Sequence, residues 1–223
     1  MIDKRVGSLE EAVSGIRDGM SIMISGFGDA GIPVELVHAV LDMGAKDLTI
    51  ITNNGGAGET DIAALIRENR VARLICSYPR SAGSHWFQQR WNEGTLELEL
   101  TPQGTLSERM RAAGAGLGGF FTPTGADTEL AVGKETRMID GRLHVLEKPL
   151  PADIALIKAE QADRWGNLVY HLAARNFGPT MATAATTTIV QVREIVELGQ
   201  LHPEHIITPG IFVDRVVEVA NPS

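Results

Sequence analysis

Three closely spaced glycines follow a short apolar run near the start of the chain. The run covers Met20 to Ser25, and Gly26, Gly28 and Gly31 all stand within the next six residues. Glycine lets a backbone approach a ligand closely and adopt positive φ angles. In open α/β sheets, ligands bind where such a turn joins a strand to a helix, because backbone N–H groups face outward there. The segment therefore predicts a ligand-binding turn.

Polar residues follow the later predicted strands in the same way. Asn53 and Asn54 come after the second apolar run, Arg80 lies at the tip of the third, and Gln103 follows the fourth. The pair Gly118-Gly119 stands in a glycine-rich stretch farther along. Because the carboxyl ends of parallel strands meet at one edge of a sheet, we expect the glycine turn, the two asparagines, Gln103 and this glycine pair to converge there.

The glycine turn also spells G-x-G-x-x-G, the pattern of dinucleotide-binding folds. Such folds need an Asp or Glu at the end of the next strand, where it binds the ribose hydroxyls. Here the next strand runs into Asn53 and Asn54, and Asp29 inside the turn would repel a pyrophosphate. The surroundings of the motif therefore argue against NAD binding.

Several helix boundaries are visible in the sequence. Pro33 suits the first position of a helix that Gly44 ends. Ser8, followed three residues later by Glu11, has capping-box spacing for a helix from Leu9 to Arg17. A later helix is expected to begin at a Thr60 cap and to run through Glu68.

Alternation of strands and helices predicts the fold class. The pattern indicates a single α/β domain over residues 1–223, with an open, mainly parallel sheet and helices on both faces. Asp140-Gly141 predicts a hairpin between strands 137–139 and 142–146. Residues 114–125 are expected to form a long irregular loop because they are rich in glycine.

Composition excludes several classes of function. A formal net charge of -8 argues against nucleic acid or an anionic membrane as partner. The single cysteine, Cys76, excludes a disulfide framework, and the histidine spacing predicts no metal site. No apolar stretch reaches the length of a membrane span, and no signal peptide is expected, so we predict a cytoplasmic protein.

Segments spanning nearly the whole chain resemble the A subunit of the family I CoA-transferases, the 3-oxoacid CoA-transferases. The family signature G-G-F-x-x-x-G-x-P stands here at residues 25–33, with Ser25 in place of the first glycine. Further matching segments are Asn53-Asn54, Leu98 to Thr105, Glu108-Arg109, Phe121 to Gly125, Gly133 to Glu135, Ala174 to Phe177 and Ile211 to Arg215. The resemblance implies the open α/β fold that this family shares with ribose-phosphate isomerases.

The resemblance also implies a mechanism and a partner. In this family a glutamate attacks the acyl-CoA thioester and becomes a glutamyl-CoA thioester itself, and it lies in a Ser-Glu-Asn-Gly motif. That motif does not occur in this chain. The implied enzyme is therefore a heterodimer or A2B2 heterotetramer in which the B subunit supplies the nucleophile. CoA thioester is then a substrate, and no permanently bound cofactor is expected.

Roles for individual residues follow from the same resemblance. The turn Ser25-Gly26-Phe27-Gly28-Asp29-Ala30-Gly31 would bind CoA or the developing oxyanion. Asn53 and Asn54 would contact acyl or pantetheine groups, and Gln103 would orient the acceptor. The segment Gly118-Gly119-Phe120 would line the CoA channel or the boundary with the B subunit.

Substrate choice stays open between two acceptors, and another class of function remains. Residues 77–80, ending in Arg80, resemble the 3-oxoadipate enzymes more than the acetoacetate enzymes. A guanidinium there suits the distal carboxylate of a dicarboxylic acceptor. Structural roles are also open: Gln103 as a helix cap, and Arg80 as a solvated loop charge. The same fold houses sugar-phosphate-sensing domains, although the glycine turn lacks the Lys or Arg that phosphate requires.

Overall fold

The computed structural model describes residues 2–80 and 82–220. In this part of the chain the strands are β1 Ser21–Ile24, β2 Leu48–Asn54, β3 Val71–Tyr78, β4 Glu97–Leu100, β5 Phe120–Thr122, β6 Thr136–Ile139, β7 Arg142–Glu147, β8 Ala152–Asp163, β9 Leu168–Val169, β10 Ala185–Val196 and β11 Arg215–Glu218. The α-helices are α1 Leu9–Val13, α2 Val34–Met43, α3 Ile62–Arg67, α4 His85–Asn92, α5 Gln103–Gly114 and α6 Gly178–Ala184. Short 3-10 helices cover Glu129–Ala131, Leu172–Arg175, Pro203–His205 and Gly210–Phe212.

The large sheet is built around β1. Its strand order is β11-β10-β8-β1-β2-β3-β4, neighbours along this path are parallel, and β9 pairs antiparallel with β8. From β1 the chain adds β2, β3 and β4 on one side and later returns to place β8 on the other. The carboxyl end of β1 is therefore a topological switch point, where open α/β sheets form their ligand crevice.

Helices cover both faces of the sheet at its central strand, β1. Ile22 and Ile24 of β1 pack into the cluster that contains the apolar residues of α1 to α4, while Met23 packs with those of α5 and α6. All three side chains are fully buried. A parallel strand covered on both faces is apolar throughout, as the run before the glycine turn indicated. The predicted fold class is confirmed.

A second, three-stranded antiparallel sheet has the order β5-β7-β6. The predicted hairpin joins β6 to β7, and its turn residues Asp140 and Gly141 have φ angles of 49° and 75°. Positive φ at both central residues is what a tight type I′ turn requires. The prediction of an irregular loop over 114–125 was wrong at β5, where Phe120 pairs with Glu147 of β7.

Helix α1 is shorter than expected. The Ser8 hydroxyl accepts a hydrogen bond from the Glu11 amide at 3.1 Å, as the capping-box spacing indicated. The helix nevertheless ends at Val13 rather than at Arg17, because Gly15 takes a φ of 96° and turns the chain. Local glycine geometry therefore ended a helix that the apolar pattern alone would have continued.

Helices α2 and α3 begin one residue later than expected. Pro33 occupies the N-cap position of α2, and Gly44 ends that helix with a φ of 84°. Asp61, not Thr60, caps α3, since its carboxylate accepts from the Ala63 amide at 2.8 Å.

Candidate functional site

Asn53 joins the tips of three neighbouring strands. Its Nδ2 donates to the Ser77 hydroxyl at 3.0 Å and to Gln103 Oε1 at 3.1 Å. Ser77 follows the buried part of β3, and Gln103 opens α5 after β4. The Ser77 hydroxyl donates in turn to the Asn53 carbonyl oxygen at 3.1 Å. The predicted convergence is confirmed for Asn53 and Gln103. Ser77 belongs to the same hydrogen-bonded cluster, although it was not predicted as a site residue.

The side chain of Gln103 faces Asn53 rather than its own helix. It is the first residue of α5, whose N-cap is Pro102, and its carbonyl oxygen is occupied by Asn53 Nδ2. With the oxygen engaged, the Gln103 amide nitrogen is turned away from Asn53 and can donate to a ligand. The alternative of a helix-capping role for Gln103 is therefore wrong.

Asn54 connects these strand tips to the glycine turn. Its Nδ2 donates to the Gly28 carbonyl oxygen at 3.4 Å, and its Oδ1 accepts from the Gly56 amide at 2.8 Å. The side chain thus orders its own loop and touches the turn after β1. The loops after β1, β2 and β4 form one continuous surface at the edge of the sheet.

The glycine turn is a tight double-hydrogen-bonded loop. The Phe27 amide donates to the Ala30 oxygen at 3.0 Å, and the Ala30 amide donates to the Phe27 oxygen at 3.1 Å. Gly28, with a φ of 57°, and Asp29 form the apex between them. Within residues 2–80 and 82–220, the amides of Gly28 and Asp29 have no hydrogen-bond acceptor. Two such donors at a switch point can bind an oxyanion.

Ser25 closes the base of this turn. It is fully buried, and its hydroxyl donates to the Gly31 oxygen at 2.8 Å while accepting from the Lys158 amide at 3.2 Å. The hydroxyl is therefore committed to the loop and to β8. The serine that departs from the family signature has a structural use here, because its hydroxyl holds the base of the turn against β8.

Backbone amides at the amino end of α2 were expected to be free for a ligand, but two of them are bonded within the protein. Buried Gln191 of β10 accepts from the Leu36 amide at 3.1 Å. The Val37 amide donates to the Pro33 oxygen at 3.0 Å. The donors available to a ligand therefore belong to the turn itself rather than to the helix.

Among the described residues, neither Arg80 nor the Gly118-Gly119 pair makes a hydrogen bond to Asn53, Ser77 or Gln103. The exposed Arg80 guanidinium donates to Gln88 on α4. Gly118 and Gly119 lead into β5 of the second sheet, and Phe120 is half-buried there, so the prediction that they lie at a tip of the parallel sheet was wrong. That error arose because the stretch was treated as a loop at a parallel strand's end.

The other side of the glycine turn is acidic. Asp29, His38 and Asp61 line a cavity of about 520 Å³ beside it. Burial raises the pKa of Asp61 above its usual range, against the opposing hydrogen bonds from backbone amides, and the charge of Asp29 adds to the rise. A phosphate group would meet repulsion here, so the structure does not favour the sugar-phosphate alternative.

Two further observations bear on the chemistry. Burial raises the pKa of the Cys76 thiol to about 12, so this side chain stays protonated and is not a nucleophile at neutral pH. Among the helices that the structure describes, none is long and apolar enough to cross a membrane.

Comparison with known proteins agrees with the fold. The coenzyme A transferase family model matches residues 6–219. The A subunit of 3-oxoadipate CoA-transferase from Pseudomonas putida is 58% identical over 220 residues, which cover 99% of this chain and 95% of that protein. The A subunit of a probable succinyl-CoA:3-ketoacid CoA-transferase from Bacillus subtilis is 44% identical over 96% of this chain and 89% of its own length.

A solved structure shows the same architecture. The thioester complex of an acyl-CoA transferase from Escherichia coli O157:H7 with CoA superimposes with a TM-score of 0.85 at 23% identity. The match covers 99% of this chain and 48% of the other, so this chain spans about half of that protein. The full-length family match and the close relatives together show that the chain belongs to the coenzyme A transferase family.

Proposed function

We propose that this chain is the A subunit of a heteromeric 3-oxoacid CoA-transferase that moves CoA from succinyl-CoA to 3-oxoadipate. The observation that carries the proposal is the hydrogen-bonded cluster of the Asn53, Ser77 and Gln103 side chains, which we call the amide cluster. It lies beside a turn in which the backbone amides of Gly28 and Asp29 have no acceptor among the described residues. Such a surface binds and orients polar acyl groups without supplying a nucleophile of its own. The higher identity to the Pseudomonas protein than to the Bacillus protein supports 3-oxoadipate as acceptor.

The nucleophile in this proposal is a glutamate of the B subunit. Its carboxylate attacks the succinyl-CoA carbonyl and expels the CoA thiolate, leaving a mixed anhydride. The thiolate then attacks the glutamyl carbonyl, which releases succinate and forms the glutamyl-CoA thioester. The carboxylate of 3-oxoadipate attacks that thioester and expels the CoA thiolate, which gives a second mixed anhydride. The thiolate then attacks the 3-oxoadipyl carbonyl, which forms 3-oxoadipyl-CoA and releases the glutamate carboxylate.

This chain would lower the barrier of these steps by electrostatics and positioning. Each attack places negative charge on a carbonyl oxygen, and the amides of Gly28 and Asp29 would donate to that oxygen. The Gln103 amide nitrogen, turned outward by Asn53, would donate to the acceptor's carboxylate or keto oxygen. Asn53, itself held by Ser77, orients the Gln103 amide, so little conformational freedom is lost when the acceptor binds.

Arg80 would recognise the second carboxylate of 3-oxoadipate. It stands three residues beyond Ser77 on the exposed side of the strand tip, and its described partner, Gln88, is neutral. Its positive charge is therefore not cancelled by that contact. Acetoacetate has no second carboxylate, so this contact would separate the two acceptors.

The test compares the two acceptors on the complex of this chain with its co-expressed B subunit. We expect Arg80→Ala to lower kcat/KM for 3-oxoadipate by about tenfold to a hundredfold, the range of a charge-assisted contact. Activity with acetoacetate should change by less than about threefold. Arg80→Lys, which keeps the charge, serves as the matched control and should retain part of the 3-oxoadipate activity. Equal losses with both acceptors, or a wild-type preference for acetoacetate, would contradict the assignment.

A further inference from the structure

Asn176 ties the two ends of the glycine turn together from a distant part of the chain. Its Oδ1 accepts from the Gly26 amide at 2.9 Å, and its Nδ2 donates to the Ala30 oxygen at 3.2 Å. The same carboxamide also accepts from the Phe177 amide at 2.6 Å and donates to the Ala174 oxygen at 2.7 Å. Both donors and both lone pairs are used, so the orientation of this side chain is fixed.

The backbone of Asn176 is strained. Its φ of 29° and ψ of -124° lie in a region that glycine adopts readily and that residues with a Cβ avoid. A glycine would therefore suit the backbone better than asparagine does. The presence of an asparagine indicates that the side chain is needed for the contacts it makes.

The turn rests directly on the segment that carries Asn176. A Cβ atom at Gly31 would lie 2.5 Å from the Ala174 oxygen and would overlap the Asn176 carboxamide. On the outer side, the Phe27 and Phe177 rings contact each other with centroids 6.4 Å apart. The junction between the 3-10 helix at 172–175 and α6 thus supports the turn by hydrogen bonds, close backbone packing and a ring contact.

We propose that Asn176 is a positioning residue that sets the direction of the Gly28 and Asp29 amides. It fixes Gly26, the residue before the double-hydrogen-bonded turn, and Ala30, the last residue of that turn, and so determines where the apex points. This proposal rests on the function proposed above, in which those amides stabilise the oxyanion. Asn176 would not touch substrate itself.

The principal test is Asn176→Gly in the assembled complex with the B subunit. The substitution relieves the strained backbone and removes the side chain's hydrogen bonds to Gly26, Ala30, Ala174 and Phe177. We expect the melting temperature to change by only a few degrees, because relief of backbone strain offsets the lost hydrogen bonds. In contrast, kcat with succinyl-CoA and 3-oxoadipate should fall by about tenfold to a hundredfold. KM should change by less than about threefold, because the lost interaction is one made in the transition state.

Asn69→Gly is the matched control. Asn69 also has a positive φ, 54°, and is exposed at the end of α3, away from the turn. The same substitution there removes an asparagine side chain at a positive-φ position outside the turn and should leave kcat unchanged. Asn176→Asp provides a second variant that keeps acceptors for the Gly26 and Phe177 amides, loses both donors, and should give a kcat between those of wild type and Asn176→Gly.

Amide hydrogen exchange supplies a readout that does not depend on activity. In Asn176→Gly the Gly26, Phe27 and Ala30 amides should exchange faster than in wild type, with no change in Asn69→Gly. Unchanged exchange together with wild-type kcat in Asn176→Gly would overturn the proposal. If that variant fails to assemble, wild-type kcat and exchange in Asn176→Asp would overturn it equally. An inactive wild-type complex would instead refute the proposed function, and the exchange data would still decide whether Asn176 fixes the turn.

Discussion

Two glycine-rich segments of this chain have similar composition and opposite uses. In the turn after β1, Gly31 lets the backbone pack against the Asn176 segment, and the apex at Gly28 is left with open amides. In the segment before β5, Gly119 lets the chain pass close to the Glu147 carbonyl oxygen and enter the second sheet. Glycine permits close approach in both places, so glycine content alone does not identify a site. The two segments differ in what precedes them: a buried parallel strand at the switch point, β1, precedes the first, whereas helix α5 precedes the second.

The charges beside the two segments differ as well. Glu147 is buried, and its carboxylate lies 2.6 Å from Lys134 Nζ and 3.9 Å from Arg109 Nε. Asp61 is buried beside the turn after β1, and its carboxylate accepts a hydrogen bond from the Ala63 amide. Asp29 lines the same cavity. The carboxylate beside the segment before β5 is thus paired with cations, whereas the two carboxyl groups beside the turn after β1 lie together on one cavity wall.

The largest effect is expected for Gly31→Ala. The φ of 77° disfavours alanine, and the added Cβ would come within 2.5 Å of the Ala174 oxygen. We expect kcat of the complex with the B subunit to fall by about a hundredfold or more, since displacement of the turn by about 1 Å misdirects its apex. Stability should fall by about 1–3 kcal/mol. Steady-state kinetics and thermal denaturation measure the two effects, and wild-type kcat in this variant would refute a functional role for the turn's geometry.

Gly119→Ala sharpens the comparison because it is the same substitution in the other segment. Its φ is 147°, and the added Cβ would lie 2.8 Å from the Glu147 oxygen. The expected result is a loss of about 1–3 kcal/mol in the free energy of unfolding. Because β5 lies outside the amide cluster, kcat per folded complex should stay within about threefold of wild type. A large loss of kcat in a fully folded complex would show that this segment does line the CoA channel.

Asp61→Asn is expected to give the smallest effect. Burial raises the pKa of Asp61 in the folded state above the ordinary value of 3.8, so its contribution favours folding at low pH. That contribution is lost as pH rises from about 4 through the raised folded pKa. Asparagine keeps a capping oxygen for the Ala63 amide and cannot ionise.

At pH 7 the free energy of unfolding of the variant should therefore equal that of wild type or exceed it by less than about 1 kcal/mol. This advantage of the variant should disappear as the pH is lowered, because Asp61 in the wild type becomes protonated. Chemical denaturation between about pH 4 and pH 7 measures this difference. A variant that is less stable than wild type at pH 7 would contradict the assigned direction of the pKa shift.

Local signals predicted the part of the site that depends on sheet geometry. The apolar run, the glycines and Pro33 indicate a strand, a turn and a helix from residues that are adjacent in the chain. Since parallel strands place their carboxyl ends together, Asn53 and Gln103 could be expected to meet. The hairpin at Asp140-Gly141 was likewise a local feature. These predictions succeeded because short-range chemistry and the parallel sheet lead to the same arrangement.

The contacts that local signals missed all depend on distant packing. Asn176 is 150 residues from Gly26 in the chain, and nothing in its own segment indicates which loop it supports. Residues 120–122 form a strand only because they pair with β7, which comes later in the chain. Gln191, which accepts from the Leu36 amide at the start of α2, lies on β10, two strands away from β1 in the sheet. Such contacts are set by tertiary structure, which overrides local composition.

The most direct test of the central claim locates the covalent intermediate. The complex of this chain with the B subunit would be incubated with succinyl-CoA, reduced with borohydride, digested and analysed by mass spectrometry. The account predicts a modified glutamate on the B subunit and no modification of the present chain. Modification of a glutamate in this chain would show that the nucleophile belongs here and would contradict the divided site.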